Sequence, residues 1–182
     1  MILEIGKYYH FYNRSENQEV VFKENENYQF FLEHYKQYTQ QHLSTIAYCL
    51  MPTHFHFLVK VTSNDVATLK THIAALLSSY TKSLNRSIER HGSLFQTHSK
   101  AKEIDDENYL PTLMSYIHQN PFRAGLVKHI EEWPYSSYRD YAGLRNDPLV
   151  DQSYFRQSFP TPESFKKYSE EIVMIVKYKY WI

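Results

Sequence analysis

The order of apolar and polar positions along the chain predicts an alternation of strands and helices. Four segments rich in β-branched and aromatic residues predict strands, at 8–13, 44–51, 54–61 and 94–104. Apolar residues spaced three and four apart predict amphipathic helices, at 26–41 and 66–89. The order βαββαβ is that of a ferredoxin-like fold in the α+β class. It predicts an antiparallel sheet with both helices on one face, which leaves the other face open for a ligand or another helix.

Further segments follow the predicted sheet. A helix is predicted at 106–119 and is expected to stop near Asn120-Pro121, because proline interrupts the helical hydrogen-bond ladder. Residues 134–143 predict a short helix or turn. A last helix is predicted to begin near Thr161, since Pro162 suits its first position. The apolar residues of this last segment need a surface to pack on, and they are Phe165, Tyr168, Ile172, Ile175 and Val176.

The segment His54-Phe55-His56 carries the sharpest chemical signal. Residues two apart on a strand point to the same face, so His54 and His56 project together. Phe55 and Phe57 belong to the opposite row, which we expect to lie under the helices. The two imidazoles then lie on the open face and are close enough to bind one divalent metal ion through neutral nitrogens. The structural alternative is that these histidines hydrogen bond to backbone or water.

Two protein ligands leave a metal site incomplete, and the helix predicted at 106–119 can supply a third. Tyr116 and Asn120 are four residues apart and share one side of that helix. If the helix docks on the open sheet face, Asn120 offers a carbonyl oxygen and Tyr116 a phenol beside the two histidines. The structural alternative is that Tyr116 packs in the core and Asn120 ends the helix before Pro121.

Composition narrows the classes of function. Twenty Lys and Arg balance twenty Asp and Glu, so any nucleic-acid surface has to be local. The four glycines lie too far apart for a dinucleotide-binding or Walker A loop. A single cysteine, Cys49, excludes an internal disulfide and a cysteine zinc cluster, and its apolar surroundings predict a buried thiol. The 17 tyrosines suit packing and interfaces, and a tyrosine can also be a nucleophile.

Segments that target a protein to a membrane or to export are not evident in the sequence. The first residues carry no basic stretch followed by an apolar one, as a signal peptide would. No apolar run approaches the roughly 18 residues of a membrane span. We therefore expect a soluble, cytoplasmic protein with no membrane partner.

Several short motifs occur together and in order between residues 8 and 143. They are Tyr9–Arg14, Ala47–His56, Gly92–Gln96 with Lys100, Tyr116–Val127 and Trp133–Tyr138. In this combination the chain resembles the HUH single-tyrosine transposases, especially the REP-associated tyrosine transposases. The resemblance divides the chain into a transposase catalytic domain at 1–145 and a C-terminal helical extension of unknown role at 146–182.

The resemblance implies a ferredoxin-like domain with an added catalytic helix. It implies that His54 and His56 bind Mg²⁺ or Mn²⁺, that Asn120 occupies the third-ligand position, and that Tyr116 is the nucleophile. The implied substrate is single-stranded DNA that carries a hairpin or palindrome beside the cleavage site. Related enzymes include dimers that share active sites and monomers, so a homodimer is compatible with the resemblance.

The implied reaction is a transesterification. The Tyr116 oxygen attacks the scissile phosphorus, the 3′-hydroxyl leaves, and a 5′-phosphotyrosine bond holds the other end. A free phenol has a pKa of about 10, so metal charge or a base has to assist. The candidate phosphate contacts, each of which also suits a solvated surface position, are Arg14, Lys60, Lys100, Lys102 and Arg123.

Other functions fit parts of the pattern. A non-catalytic RNA-binding or single-strand-binding module uses the same topology with exposed aromatic residues, although no RNP1-like run occurs in this chain. A metal-dependent phosphodiesterase that activates water would not need Tyr116. A domesticated transposase or an inactive relic would keep the ancestry, and the presence of every motif residue argues against a relic.

Overall fold

A four-stranded antiparallel sheet forms the centre of the molecule, and the computed structural model describes residues 2–171. The strands are β1 (Tyr8–Arg14), β2 (Leu43–Met51), β3 (His54–Val61) and β4 (Lys100–Ile104). Their spatial order is β2-β3-β1-β4, and each neighbouring pair runs antiparallel. This is the order of a ferredoxin-like sheet, so the predicted α+β fold is confirmed.

Five α-helices are described. They are α1 (Asn25–Thr39), α2 (Val66–Ser87), α3 (Leu110–Arg123), α4 (Tyr138–Tyr141) and α5 (Pro162–Glu170). Single 3₁₀ turns lie at Glu16–Gln18, Glu107–Tyr109, Ile130–Glu132 and Gln152–Phe155. Side-chain caps mark the starts of α1 and α2, and α2 starts where the Asp65 carboxylate accepts from the backbone N–H of Thr68.

The main core lies between the sheet and the pair α1 and α2. Phe55 and Phe57 on β3 point into it, as the alternation predicts, and both are completely buried. Tyr35 of α1 stacks on Phe57 with ring centroids 3.9 Å apart, and Phe31 lies 5.1 Å from Phe55. Each such buried aromatic side chain contributes about 1.5–3 kcal/mol through removal of apolar surface from water. The row opposite Phe55 and Phe57 therefore faces away from these helices.

The fourth strand is shorter than the segment predicted at 94–104. Phe95 forms only an isolated bridge with Ser15, and its side chain is buried. His98 then adopts a φ of 66°, which interrupts the extended backbone. Regular pairing with β1 begins at Lys100, so the prediction of a strand from residue 94 was wrong.

Helix α3 is displaced toward the C-terminus relative to the predicted helix at 106–119. It begins at Leu110 with Pro111 in its first turn and continues past Pro121 to Arg123. Pro121 has no N–H to donate to the carbonyl of Ile117, and the Asn120 side-chain amide donates to that carbonyl instead, at 3.3 Å. The predicted stop at Pro121 was therefore wrong, because a neighbouring side chain replaces the missing donor.

The segment after α3 runs along the outer edge of β2. Leu50 donates its backbone N–H to the Tyr135 carbonyl at 2.9 Å, and the Trp133 indole N–H donates to the Leu50 carbonyl at the same distance. Helix α4 follows, within the short helix or turn predicted at 134–143. These contacts cover an edge that would otherwise expose unpaired backbone groups.

The residues that follow position 145 pack back on the sheet and on α4. Val150 bridges to Thr45 of β2, and Tyr154 makes an edge contact with Tyr8 of β1 at 6.0 Å. Helix α5 begins at Pro162 behind a Thr161 cap, as predicted, and its Phe165 is buried. The predicted packing positions Ile172, Ile175 and Val176 lie outside the described residues. The division of the chain at residue 145 stays a prediction.

Candidate active site

Two histidines of β3 lie side by side on the sheet face opposite α1 and α2. The ring centroids of His54 and His56 are 4.9 Å apart. In the register of β1 with β3, Arg14 pairs with His54 and Tyr12 pairs with His56. Strand alternation thus brings a cation and a phenol from β1 onto the same face as the two imidazoles.

Helix α3 packs on this face across β2 and β3. Its buried apolar residues are Leu110, Leu113, Met114 and Ile117. This packing brings the half-buried Tyr116 next to His56, with ring centroids 6.2 Å apart in an edge arrangement. The predicted docking of the helix on the open face, with Tyr116 beside the histidines, is therefore present in the structure.

His56 has a hydrogen-bond partner that sequence analysis missed. The Nδ1 atom of His56 lies 3.0 Å from Nε2 of His10 on β1, and the two rings stack at 5.2 Å. Both side chains are buried. His10 occurs within the motif Tyr9–Arg14, but only the β1–β3 register shows that it faces His56 diagonally across the two strands.

Burial keeps these imidazoles neutral. Desolvation lowers the pKa of His10 to about 3 and that of His54 to about 4. It also holds the pKa of His56 well below its usual value, and the neighbouring His10 and His54 act in the same direction. A neutral imidazole carries one unprotonated nitrogen, which is the form that binds metal ions.

The free nitrogens of the pair fit a metal ligand set. The Thr53 hydroxyl engages Nδ1 of His54 at 2.9 Å, which leaves Nε2 of that ring available. Nε2 of His56 is buried and has no hydrogen-bond partner in the described chain. Within residues 2–171, no three His, Cys, Asp or Glu side chains group together around one potential metal position. A third protein ligand for such an ion would therefore be of another type, such as an amide oxygen.

Asn120 is the amide predicted for that role. Its Nδ2 donates to the carbonyl oxygens of Tyr116 and Ile117 at 2.9 and 3.3 Å. Because carbonyl oxygens accept hydrogen bonds, the nitrogen has to face the helix, and Oδ1 is the atom left to accept a hydrogen bond or to ligate. The hydrogen bonds described for Asn120 run to its own helix and not to the histidines.

Tyr116 is in the protonated form at neutral pH. Burial raises the pKa of its phenol, and the positive charge of Arg123 opposes that shift. Arg123 follows Tyr116 by two helical turns and its guanidinium donates to Oε1 of Gln119 at 3.1 and 3.2 Å. The predicted DNA contact Arg123 thus lies on the side of α3 that carries Tyr116.

Arg14 lines a small pocket next to the histidines. The pocket has a volume of about 220 Å³, and its lining residues are Arg14, Ser15, Gln18, Thr53 and His54. The Ser15 hydroxyl is buried without a hydrogen-bond partner in the described chain. Arg14 is exposed, and its charge lowers the pKa values of both His54 and His56. The structure therefore places this predicted DNA contact at the candidate site.

Lys100 and Lys102 on the edge strand β4 also lie near the site. Their ammonium groups are 5.8 and 5.7 Å from the centre of the Tyr12 ring, which in turn lies 6.4 Å from the ring of His56. We name this surface, formed by Tyr12, Lys100 and Lys102, the β4 basic strip. It extends from the histidines toward the edge of the sheet.

Lys60 lies at the end of β3 that is remote from His54. It is six residues along β3 from His54, a distance of about 20 Å. Its ammonium group lies over the rings of Tyr8 and Tyr154, at 5.0 and 5.6 Å. The structure therefore places Lys60 in an aromatic contact with the C-terminal extension, away from the candidate site.

A four-stranded sheet with paired histidines beside a helix-borne tyrosine is the arrangement implied by the resemblance to tyrosine transposases. Residues 5–120 match the family model described as "Transposase IS200 like". This match covers more than half of the chain, and the chain belongs to the IS200-like transposase family. Within residues 2–171, none of the helices has the length and apolar character that a membrane crossing requires.

Individual relatives narrow the comparison. A protein of Haemophilus influenzae named as a REP-associated tyrosine transposase is 30% identical over an alignment of 113 residues, and the match covers 57% of this chain and 64% of that protein. The match thus spans slightly less than two thirds of that relative. A solved structure of a REP-associated tyrosine transposase bound to a REP hairpin has a TM-score of 0.63 and 19% identity. It covers 85% of this chain and 93% of the solved chain, and it shows a shared fold.

Proposed function

We propose that the chain is a metal-dependent single-stranded DNA endonuclease and strand transferase that acts near hairpin or palindromic DNA. The observation that carries the proposal is the position of the Tyr116 ring, whose centroid is 6.2 Å from that of His56. Nε2 of His56 is buried and has no hydrogen-bond partner within residues 2–171. Membership of the IS200-like transposase family supports a role in DNA transposition. A hairpin substrate is supported by the structural neighbour, which is described as bound to a REP hairpin.

His54 and His56 would hold Mg²⁺ or Mn²⁺ through their Nε2 atoms, with Oδ1 of Asn120 as a third ligand. When bound, the cation supplies Lewis-acid charge to the scissile phosphate. Two imidazoles are softer ligands than the oxygen set that Mg²⁺ prefers, so this ligand set favours Mn²⁺. We therefore expect tighter binding of Mn²⁺ than of Mg²⁺.

Tyr116 supplies the nucleophilic oxygen. One bond forms, between Oη and phosphorus, and one bond breaks, between phosphorus and the 3′-oxygen. The phenol loses its proton and the leaving 3′-oxygen gains one, so no water is consumed. Because burial keeps the phenol protonated, proton removal has to accompany the attack. The products are a 5′-phosphotyrosine and a free 3′-hydroxyl, and attack by another 3′-hydroxyl reverses the step.

The DNA strand would reach the site across local positive charge. Arg14 lies beside His54 on the neighbouring strand. The positive charge of Arg123 opposes the rise that burial causes in the pKa of Tyr116. The β4 basic strip extends from the histidines to the edge of the sheet. These groups can contact phosphates near the scissile bond although the whole chain has no net charge. The ammonium group of Lys60 lies instead over the rings of Tyr8 and Tyr154.

The proposal is tested with hairpin-bearing single strands taken from the flanks of the gene and labelled at either end. In the presence of Mn²⁺ we expect a denaturation-resistant adduct that retains the 3′ label, while the 5′ label leaves on the released fragment. Tyr116→Phe should abolish the adduct. Tyr12→Phe is the matched control, because the Tyr12 ring lies at a similar distance from His56. This substitution keeps the ring that contacts Lys100 and Lys102 and removes only the hydroxyl, so adduct formation should stay intact.

The alternatives give different results in the same experiment. Cleavage without an adduct, or cleavage that survives Tyr116→Phe, would indicate a phosphodiesterase that uses water. Hairpin binding without cleavage in either metal would indicate a binding module or a domesticated protein. Peptide mapping of the adduct identifies which tyrosine carries the DNA.

A further inference from the structure

The hydrogen bond between His10 and His56 allows two positions for its proton. In the first, Nδ1–H of His56 donates to Nε2 of His10, and Nε2 of His56 carries a lone pair. In the second, Nε2–H of His10 donates to Nδ1 of His56, and Nε2 of His56 carries a proton. Both rings are neutral in either arrangement, and the nitrogens are 3.0 Å apart. Only the first arrangement leaves Nε2 of His56 able to bind a metal ion.

We propose that His10 is a positioning residue for the metal site, and that it accepts a hydrogen bond from Nδ1 of His56 so that Nε2 of His56 faces the cation. The inference rests on the proposed function, in which His54 and His56 are metal ligands. Histidine ligands are commonly oriented by a partner on the second ring nitrogen, and that partner also sets the tautomer. His10 is that partner for His56, and the Thr53 hydroxyl is the corresponding partner on Nδ1 of His54.

The surroundings of the two rings restrict other partners. His10 and His56 are 0% and 1% exposed, so water has little access to the hydrogen bond between them. Their rings stack with an angle of 19° and centroids 5.2 Å apart, which limits rotation of His56 about its side-chain bonds. Nδ1 of His10 has no hydrogen-bond partner in the described chain and holds the second proton of the pair in the metal-competent arrangement. His10 therefore orients His56 without being a ligand itself.

Substitutions at position 10 separate the hydrogen bond from the packing of the ring. His10→Phe keeps an aromatic ring and removes the acceptor, whereas the side-chain oxygen of Gln in His10→Gln can take the place of Nε2. We expect His10→Phe to weaken Mn²⁺ binding by about 10- to 100-fold and His10→Gln to restore most of it. Isothermal titration with Mn²⁺ alone measures both variants without any DNA.

His118 provides the matched control. It is also a fully buried histidine with one ring hydrogen bond, from Nε2 to the Ser137 hydroxyl at 2.7 Å, and it packs near Tyr138. His118→Phe should reduce stability, as removal of any buried hydrogen bond does, while Mn²⁺ affinity stays as in the unsubstituted chain. Unfolding curves of all variants show whether a loss of affinity accompanies a loss of fold.

The tautomer has its own spectroscopic signature. In ¹⁵N spectra of the Mg²⁺-loaded chain, Nδ1 of His56 should be protonated and Nε2 unprotonated. A protonated Nε2 in that spectrum, or unchanged Mn²⁺ affinity in His10→Phe, would overturn the role of His10 while adduct formation by Tyr116 still stood. If the unsubstituted chain bound neither metal, the proposed metal site and this role would both fail, and the adduct experiment would show that failure separately.

Discussion

The side-chain amide of Asn120 donates to the carbonyl oxygen of Tyr116, one helical turn earlier, at 2.9 Å. The same amide donates to the Ile117 carbonyl, which Pro121 leaves without a backbone donor. Asn120 thus supports the last turn of α3 through its side-chain nitrogen, and its Oδ1 is left free of these helix carbonyls. Its two polar atoms have different roles, because Nδ2 stabilises the helix and Oδ1 is the candidate ligand.

This relationship predicts a stability effect that does not depend on catalysis. Asn120→Ala should lower the free energy of unfolding by about 1 kcal/mol, because it removes the side-chain donor to both carbonyls and leaves that of Ile117 without its replacement donor. In Pro121→Ala, a backbone N–H becomes available for Ile117, so Asn120→Ala should cost less when combined with it. Urea unfolding of the two single variants and the double variant measures this coupling. Strictly additive losses would show that the amide does not replace the missing N–H.

A second prediction concerns stability in acid. His118 is buried, and desolvation lowers its pKa to about 3, whereas an unfolded histidine titrates near 6.5. Below about pH 6.5 the unfolded chain therefore binds a proton that the folded chain does not. The stability from this group is complete above that pH and is lost as the pH falls toward 3. One proton per molecule corresponds to a slope of about 1.4 kcal/mol per pH unit.

Measuring the free energy of unfolding between pH 6 and pH 4 tests this sign and magnitude. His118→Gln should reduce the slope by about 1.4 kcal/mol per pH unit, because Gln does not titrate. The other buried histidines, His10 and His54, still contribute acid sensitivity in that variant. An unchanged slope would mean that His118 becomes protonated in the folded chain.

Alternation along β3 was sufficient to predict the shared face of His54 and His56 and the buried row of Phe55 and Phe57. A strand with one apolar row has only one orientation that buries it, so local pattern determines the face. Helical spacing likewise predicted that Tyr116 shares a side of α3 with Asn120. The parts of the site that depend on one element were therefore predictable.

The parts that depend on contacts between distant segments were not. His10 meets His56 only through the register of β1 with β3, and that register cannot be inferred from either strand alone. Lys60 shares the face of the histidines as predicted. Its contact with the Tyr154 ring, however, depends on how the C-terminal extension folds back on the sheet. Pro121 was expected to end α3 because proline lacks a backbone N–H. The hydrogen bond by which Asn120 compensates for that loss forms only once the helix is folded, so the sequence did not reveal it.

A third prediction compares lysines on the same sheet face. Lys100→Ala and Lys102→Ala should each weaken binding of a single-stranded hairpin and reduce the steepness of its salt dependence by about one charge. Lys60→Ala is the control. Lys60 lies about 20 Å along β3 from His54, and its ammonium group is over the rings of Tyr8 and Tyr154. Its substitution should leave the hairpin affinity and the salt dependence unchanged. Titrations at several salt concentrations without metal separate binding from cleavage. If Lys60→Ala weakened hairpin binding strongly while Lys100→Ala and Lys102→Ala did not, the DNA would bind near Lys60 and not along β4.

A fourth prediction follows from the position of Tyr116 next to His56 of the same chain. The apolar residues of α3 are buried against β2 and β3, so one chain supplies both the proposed nucleophile and the proposed metal ligands. A mixture of Tyr116→Phe chains and His56→Ala chains should therefore form no adduct. If α3 were exchanged between two chains, the tyrosine of one variant would meet the histidines of the other, and adduct would appear on the His56→Ala chain. The unsubstituted chain mixed with the double variant is the control, and it should form as much adduct as the unsubstituted chain alone at the same concentration.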